Sequence, residues 1–324
     1  MTGPAGGGAE DLVRRLAGGE ALALSRAITA LENDTAQAPA IVKALAGQLG
    51  NRDRPCLTVG VTGPPGVGKS TLVGRYIAAL RRRGHKVGVL AVDPSSPLTG
   101  GAILGDRLRM TDHADDRDVF IRSIAARGHL GGLIPTIANV VDAMDAAGKD
   151  VVLLETVGAG QSEVEVAEVA DVKLVVLAPG MGDEIQAIKA GILEIADILV
   201  VNKADLPQAE RLVEQLKGML ALRRRQAADV PVLTTVATDG TATDGTGLED
   251  LADAVDRVAA NREGADDAGA RRRRRTRRLL ERAAAELLAA RLAALPDGAV
   301  DDLCRAVEQG ELGLADAAAR LLED

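Results

Sequence analysis

Short runs of apolar residues alternate with helical patterns through the middle of the chain. Seven runs rich in Val, Leu and Ile predict strands, at residues 57–62, 86–92, 119–123, 151–155, 172–177, 198–202 and 231–235. Several carry almost no polar residue, which is typical of central strands buried on both faces. Because helical spacing separates them, the pattern predicts an α/β fold with a mostly parallel central sheet.

Helical patterns without strands flank this region on both sides. Apolar residues at helical spacing predict an N-terminal helical extension over residues 1–50, and the α/β domain then covers 51–260. Residues 261–270 are polar and predict a linker. Three predicted helices follow it within a C-terminal arm (261–324), at about 271–294, 299–308 and 314–323.

The composition excludes some classes of function. The chain has 324 residues, of which 47% are hydrophobic and 27% charged, as in ordinary globular proteins. Its aromatic residues are Tyr76 and Phe120, so few side chains are available for stacking on bases. The net charge of −8 also argues against binding to nucleic acid.

The two cysteines and the first residues indicate the compartment. Cys56 and Cys304 are far apart and form no motif, which fits a reducing environment. The N-terminus lacks the pattern of a signal peptide, and no apolar run has membrane-spanning length. We therefore expect a cytoplasmic protein without a membrane partner.

Two local features have no clear chemistry. Seven of the eight residues 271–278 are Arg, which fits either a surface for an anionic partner or the solvated start of an amphipathic helix. The second interpretation is favoured because the chain as a whole is acidic. The sequence Ala-Thr-Asp-Gly-Thr also occurs twice in tandem, over residues 237–246, and is expected to lengthen a loop.

The sequence Gly-Pro-Pro-Gly-Val-Gly-Lys-Ser at residues 63–70 has the spacing of a phosphate loop. A predicted strand precedes it and a predicted helix follows it, as this motif requires. Lys69 would reach the β- and γ-phosphates, and Ser70 would bind Mg²⁺. The predicted nucleotide contacts here are Gly63, Pro64, Pro65, Gly66, Val67, Gly68, Lys69, Ser70 and Thr71.

A second motif, Asn202-Lys203-Ala-Asp205, follows the apolar run at 198–201. The Asp205 carboxylate can accept hydrogen bonds from guanine N1–H and the 2-amino group, whereas adenine would leave it unpaired. The pattern therefore predicts GTP rather than ATP. A loop for the purine is expected after the last strand, at Val236, Ala237 and Thr238, with the Ala237 amide near guanine O6.

Acidic residues at other strand ends predict a metal site. Glu155 follows the run at 151–154 and would act on Mg²⁺ together with Ser70, while the Gly158 amide would contact the γ-phosphate. Asp93 opens a long loop that suits a nucleotide-dependent switch, and Asp106 lies near its end. We expect Asp93 and Asp106 to order the metal's waters or the attacking water, which completes a predicted Mg²⁺ site of Ser70, Asp93, Asp106 and Glu155. Catalysis is expected to depend on Lys69, Asp93, Asp106 and Glu155. The nearby Arg107 and Arg109 fit charge neutralisation and surface ion pairs equally well.

Another loop, rich in Gly and Pro, follows the predicted strand at 172–177. From the residues alone, an ordinary strand-to-helix turn with Asp183 as its N-cap is favoured. Gln186 and Lys189 lie on the helix behind it.

Together these motifs resemble one family, the MeaB-like GTPases, often labelled ArgK or LAO/AO transport kinases. The most specific part is the stretch from Val92 to Met110, Val-Asp-Pro-Ser-Ser-Pro-Leu-Thr-Gly-Gly-Ala-Ile-Leu-Gly-Asp-Arg-Leu-Arg-Met. Further matching stretches are residues 63–71, 120–132, 155–163, 179–189 and 202–205. The resemblance covers about residues 10 to 250 and extends in style to the C-terminal tail.

The resemblance implies a P-loop GTPase of the G3E/SIMIBI type that forms homodimers through its C-terminal helices. Such proteins act as chaperones of an adenosylcobalamin-dependent acyl-CoA mutase, with GTP and Mg²⁺ as cofactors. They gate loading of the mutase's cofactor and protect the mutase. In the family, the loop matching 179–189 is a switch that communicates with the mutase, which makes Asp183, Gln186 and Lys189 candidates for coupling.

Some residues depart from the family pattern, and three other classes of function are open to a chain with these motifs. Val236 stands where the family usually has Ser, and the chain has no Trp although the family tail usually contains one. A nickel-delivery GTPase is disfavoured because His85, His113 and His129 are widely spaced and no Cys pair is present. A kinase is disfavoured because no separate acceptor domain is visible. A scaffold that binds GTP without hydrolysing it is the fourth alternative.

Overall fold

The computed structural model describes residues 8–50, 55–94, 113, 115–126, 133–156, 169–180, 195–222, 230–237, 245–263, 268–295 and 297–323. The chain divides into two compact units, one ending at Thr276 and the other beginning at Arg277.

The first unit contains a parallel β-sheet that confirms the predicted α/β fold. Its strands within the described residues are β1 (Leu57–Thr62), β2 (Val87–Pro94), β3 (Val119–Ala126), β4 (Val151–Thr156), β5 (Val172–Leu177), β6 (Ile198–Asn202) and β7 (Val232–Thr235). The strand order is β3-β2-β4-β1-β5-β6-β7 and every pairing is parallel. Each predicted strand is confirmed, although β2 and β3 extend further at their carboxyl ends than the apolar pattern indicated.

Strand β1 lies at the point where the strand order reverses. It pairs with β4 on one side and with β5 on the other, and all six of its residues are buried. In open parallel sheets, ligands bind at the carboxyl edge beside such a reversal. The topology therefore predicts a ligand-binding site at the loop that follows Thr62.

Helices cover both faces of the sheet. The helices α4 (Lys69–Arg82) and α7 (Leu248–Glu263) pack on one face through Leu, Val and Ile side chains, and α6 (Ala209–Leu222) packs on the other. Tyr76 on α4 is buried in the first of these cores, and burial raises its pKa above the usual range. Because the core is otherwise aliphatic, the scarcity of aromatic residues does not prevent close packing.

Before β1, the described residues form the helices α1 (Ala9–Ala17), α2 (Ala21–Glu32) and α3 (Ala38–Leu49). These helices pack on one another and on α5 (Leu133–Ala146). An ion pair of 2.9 Å between Arg122 on β3 and Glu32 on α2 adds a polar contact with the sheet. Among the described residues, no helix is both long and apolar enough to cross a membrane.

Helix α8 (Ala268–Ala293) belongs to the first unit at its start and to the second unit from Arg277 onwards. The second unit also contains α9 (Asp297–Glu308) and α10 (Leu314–Glu323). Helix α7 reaches Glu263 and α8 begins at Ala268, so the predicted linker over 261–270 was too long. The residues between these two helices lie outside the described part of the chain.

The start of α8 corrects the interpretation of the arginine run. Arg275 is 4% exposed and forms an ion pair with Asp142 on α5. Arg272 donates hydrogen bonds to the Leu49 carbonyl oxygen at 2.9 Å and to Asp145 Oδ2 at 3.1 Å. The expectation of a solvated helix start was therefore wrong for these two residues, because one side of α8 packs against acidic residues of α5. We call these four side chains (Arg272, Arg275, Asp142 and Asp145) the arginine clamp.

The arginine clamp lies near the amino edge of the sheet, next to the start of β1. The buried Asp145 carboxylate also accepts a hydrogen bond from the backbone N–H of Cys56 at 3.1 Å. Burial raises the pKa of the Asp142 carboxyl, although the positive charge of Arg275 opposes this shift. Burial also raises the pKa of the Cys56 thiol, so this thiol stays protonated and unreactive in the folded protein.

Candidate functional site

The phosphate loop connects β1 to α4 and packs closely against neighbouring strands. Gly63 has φ +145°, and a Cβ there would lie 2.1 Å from the Val176 carbonyl oxygen of β5. Gly68 has φ +90°, and a Cβ there would lie 2.7 Å from Asn202 Nδ2. At Gly63, both the backbone conformation and the neighbouring backbone exclude a side chain. At Gly68, the positive φ disfavours a side chain, and the Asn202 amide would have to move to admit one.

Lys69, the first residue of α4, places its ammonium group at the loop. The side chain is buried, and Nζ donates hydrogen bonds to the carbonyl oxygens of Gly63 at 2.5 Å and Pro64 at 3.1 Å. A positive charge therefore lies where the loop and the N-terminus of α4 meet, an arrangement that favours anions.

Ser70 and Glu155 form a buried pair beside this lysine. Ser70 Oγ donates a hydrogen bond of 2.6 Å to Glu155 Oε1, and the residues come from α4 and β4. Glu155 lies in register with Val61 of β1 and Ala91 of β2, at the carboxyl edge of the sheet.

A hydroxyl and a carboxylate side by side suit Mg²⁺, which is commonly held by one or two such groups together with substrate phosphates. Within the described ranges, no three His, Cys, Asp or Glu side chains cluster in the way an all-protein metal site requires. Ser70 and Glu155 therefore fit a metal ion whose remaining ligands come from a phosphate group and water.

The structure describes only part of the predicted catalytic and switch residues. Asp93 belongs to β2, where its backbone lies in register with Ala125 of β3. The remaining predicted positions of the catalytic, switch and purine loops fall outside the described residues: Asp106, Arg107, Arg109, Gly158, Asp183, Gln186, Lys189 and Thr238.

The Asn-Lys-x-Asp motif contacts the phosphate loop directly. Asn202 Nδ2 donates a hydrogen bond of 2.9 Å to the Val67 carbonyl oxygen, and Lys203 Nζ donates one of 2.8 Å to the Gly66 carbonyl oxygen. Asp205 lies three residues after Asn202 and is exposed, so its carboxylate is accessible to a ligand. The structure thus brings together the two motifs that the sequence separates by some 130 residues.

The predicted purine loop is closed at its base. Val236 and Thr246 exchange two backbone hydrogen bonds, of 3.1 and 3.0 Å. Gly247, with φ +80°, approaches the Thr234 carbonyl oxygen so closely that a Cβ would lie 2.2 Å from it. We call the pair Val236 and Thr246 the loop neck. Most of the tandem repeat lies between Val236 and Thr246 along the chain. The two hydrogen bonds at the base of the loop are therefore compatible with its length.

Two residues at this edge were missed by the sequence analysis. The Thr235 hydroxyl donates a hydrogen bond of 3.1 Å to Asn202 Oδ1 and so orients the amide of the guanine motif. Arg75 Nε on α4 donates one of 3.3 Å to the Ala237 carbonyl oxygen beside the loop neck. Thr235 was visible as the last residue of a predicted strand, whereas no local pattern distinguished Arg75 from other helix arginines.

The chain is similar in sequence to known GTPases. The family model described as methylmalonyl Co-A mutase-associated GTPase MeaB matches residues 24–297. A putative GTPase of Pyrococcus horikoshii is 46% identical over 235 residues, which cover 71% of this chain and 73% of that protein. A probable GTPase of Mycobacterium tuberculosis is 39% identical over 325 residues, 97% of this chain and 94% of its own.

Among solved structures, a protein described as LAO/AO transport system kinase is similar over almost its whole length. The superposition has a TM-score of 0.73 at 27% identity and covers 97% of this chain and 96% of the other. The similarity therefore includes the helices that precede and follow the sheet-forming part of the chain.

Proposed function

Because this chain belongs to the MeaB family of methylmalonyl-CoA mutase-associated GTPases, we propose that it is the GTP-hydrolysing chaperone of an adenosylcobalamin-dependent acyl-CoA mutase. Membership confirms the resemblance drawn from the motifs, and the protein is a GTPase. The identity of the partner and the use of Mg²⁺ are the parts that this proposal adds.

The observation that carries the proposal is the pairing of Ser70 with Glu155 next to Lys69. In our proposal, Ser70 would hold Mg²⁺ through its hydroxyl, and Glu155 would hold it through a water. The metal would supply positive charge that offsets charge developing on the phosphates. Lys69 turns from the Gly63 and Pro64 carbonyl oxygens towards the β- and γ-phosphates, where its charge stabilises the transition state of in-line attack by water.

Recognition of guanine follows from the exposed Asp205. Its carboxylate would accept hydrogen bonds from N1–H and the 2-amino group of the base, while Asn202 and Lys203 hold the loop that surrounds the phosphates. Loss of these two bonds with adenine leaves a charged acceptor unsatisfied, so GTP is preferred over ATP.

We infer the mutase partner from family membership and the homodimer from exposed leucines of the second unit. We assign contact with the mutase to the loop of Asp183, Gln186 and Lys189, as in the family. Leu280 and Leu287 on α8 are 66% and 70% exposed, and their separation of seven residues puts them on one side of the helix. We assign this apolar stripe to a homodimer, with a second copy of the chain covering it.

The test is GTP turnover with and without a purified adenosylcobalamin-dependent mutase from the same cell. We expect the mutase to stimulate turnover strongly, Lys189→Ala to reduce the stimulation, and Lys69→Ala to abolish turnover in both conditions. Lys217→Ala is the matched control, because Lys217 is an exposed lysine that pairs with Glu214 of the same helix, α6. It should behave as the unaltered protein.

Each outcome has a defined meaning. Absence of stimulation with every available mutase would contradict the chaperone role but not the GTPase site. Normal turnover in Lys69→Ala would contradict the site itself. Equal loss of stimulation in Lys189→Ala and Lys217→Ala would contradict the assignment of the coupling loop.

A further inference from the structure

One helix of this protein contacts both ends of the proposed nucleotide site. Helix α4 begins with Lys69 and Ser70 at the phosphate loop, and Arg75 follows six positions after Lys69. Six residues of α-helix correspond to a rise of about 9 Å. From there, the guanidinium reaches the residue that begins the purine loop.

Arg75 contacts this loop at its most constrained point. Its Nε donates a 3.3 Å hydrogen bond to the carbonyl oxygen of Ala237, the residue next to the loop neck, and the Ala237 side chain is buried. The loop neck fixes the start of the loop relative to its end, but its hydrogen bonds do not fix the loop relative to the phosphate loop. The Arg75 contact supplies that second constraint.

Peptide geometry explains why a carbonyl contact would affect base recognition. The Ala237 N–H, proposed to face guanine O6, shares a peptide group with the Val236 carbonyl, which the loop neck holds. The Ala237 carbonyl belongs to the next peptide group, which Arg75 holds, so the two contacts together restrict the φ and ψ angles of Ala237. Ala237 is also the first residue of the tandem repeat, and a lengthened loop has more conformations to exclude.

We propose that Arg75 is a positioning residue for guanine recognition, because it holds Ala237 in place relative to the phosphate loop. This inference rests on the proposed GTP site. Arg75 acts through Ala237 and is not itself a catalytic residue.

The test compares three nucleotides in the full-length protein. ITP lacks the 2-amino group that Asp205 would bind, whereas 2-aminopurine riboside triphosphate lacks O6 and the proton on N1. The lost N1 proton weakens the bond to Asp205 equally with and without Arg75, so a change in this preference between variants reports on O6. In Arg75→Met, we expect the preference for GTP over the 2-aminopurine nucleotide to fall about three- to tenfold. The preference for GTP over ITP should change less than about twofold.

Kinetic measurements and two further variants separate positioning from general damage. In Arg75→Met, KM for GTP should rise while kcat stays unchanged, because the phosphate end of the site is intact. Arg75→Lys keeps a cationic donor and should restore much of the preference. Arg82→Met is the matched control, since it removes a guanidinium of the same helix that pairs with Glu249 on α7. It should leave all three affinities unchanged.

Two results would overturn the inference. The first is an unchanged ratio for GTP over the 2-aminopurine nucleotide in Arg75→Met. The second is an equal loss of affinity for all three nucleotides together with a lowered Tm, which would indicate a structural role only. If the unaltered protein fails to prefer GTP over ATP, the proposed function itself is wrong, and this outcome is distinguishable from both.

Discussion

At the scale of single residues, the site depends on positions where a side chain cannot exist. At Gly63, the φ angle and the nearby Val176 carbonyl oxygen both exclude a Cβ. At Gly66, only the φ of +79° disfavours one, since nothing lies within 4 Å of the added atom. The two glycines therefore separate the cost of conformation from the cost of overlap.

We expect Gly63→Ala to lower the free energy of unfolding by about 3 kcal/mol or more, since the backbone of β5 must move to admit the methyl group. Gly66→Ala should cost only about 1–2 kcal/mol, the ordinary penalty of a left-handed residue with a Cβ. Urea unfolding without nucleotide measures both values. Equal costs would contradict the close approach of the phosphate loop to β5.

At the scale of elements, the arginine clamp joins α8 to α5 beneath the amino end of β1. Removing Arg275 would leave the Asp142 carboxylate without its ion pair in a largely buried place. Such a loss costs about 3–5 kcal/mol for fully buried pairs, and the 31% exposure of the Asp142 side chain argues for the lower end. Cys56 lies beside this contact and can report on it.

We expect Cys56, in a Cys304→Ser background, to react with a thiol reagent only after local opening of the structure. Arg275→Met should speed this reaction at least about tenfold. Arg277→Met, which removes an 82% exposed arginine paired within the same helix, should leave the rate unchanged. Thiol labelling followed by mass spectrometry measures the rates, and similar rates in both variants would count against the clamp.

The elements also show how far the sequence alone can be interpreted. Strands were predictable because a parallel strand covered by helices on both faces is buried along its length, as β1 and β4 are, and is therefore rich in apolar residues. The clamp was not predictable. A run of seven arginines has no periodicity, so nothing in it indicates that Arg272 and Arg275 face α5 while Arg277 faces solvent.

The candidate site divides in the same way. Lys69, Ser70 and Asn202 were found because a loop that binds phosphate or guanine fixes the spacing of its residues along the chain. Arg75 contacts a residue 162 positions away, and that contact depends on how α4 packs rather than on neighbouring sequence. Such long-range contacts become visible only when the packing is known.

At the scale of the whole molecule, the proposed homodimer depends on apolar surface in the second unit. Burying an exposed leucine side chain contributes about 2 kcal/mol, so loss of Leu280 and Leu287 from both copies should weaken association severely. We expect the unaltered protein to be a dimer and the double variant Leu280→Glu, Leu287→Glu to be a monomer. Light scattering coupled to size-exclusion chromatography measures the mass.

Leu22→Glu is the control for this prediction, because Leu22 is a 55% exposed leucine of α2 in the first unit. It should not change the mass. GTP turnover without the mutase should persist in the double variant, since the proposed site lies in the first unit. A monomeric unaltered protein would contradict the assignment of the leucine stripe.

The single buried tyrosine, Tyr76, determines the near-ultraviolet absorbance and the fluorescence of this protein. With one tyrosine and no tryptophan, the polypeptide absorbs very little in the near ultraviolet. A guanine base bound in equal amount would dominate the spectrum of the purified protein, so occupancy can be determined from absorbance alone. The emission of Tyr76, with no indole to quench it, then reports on the surroundings of α4 without any added dye.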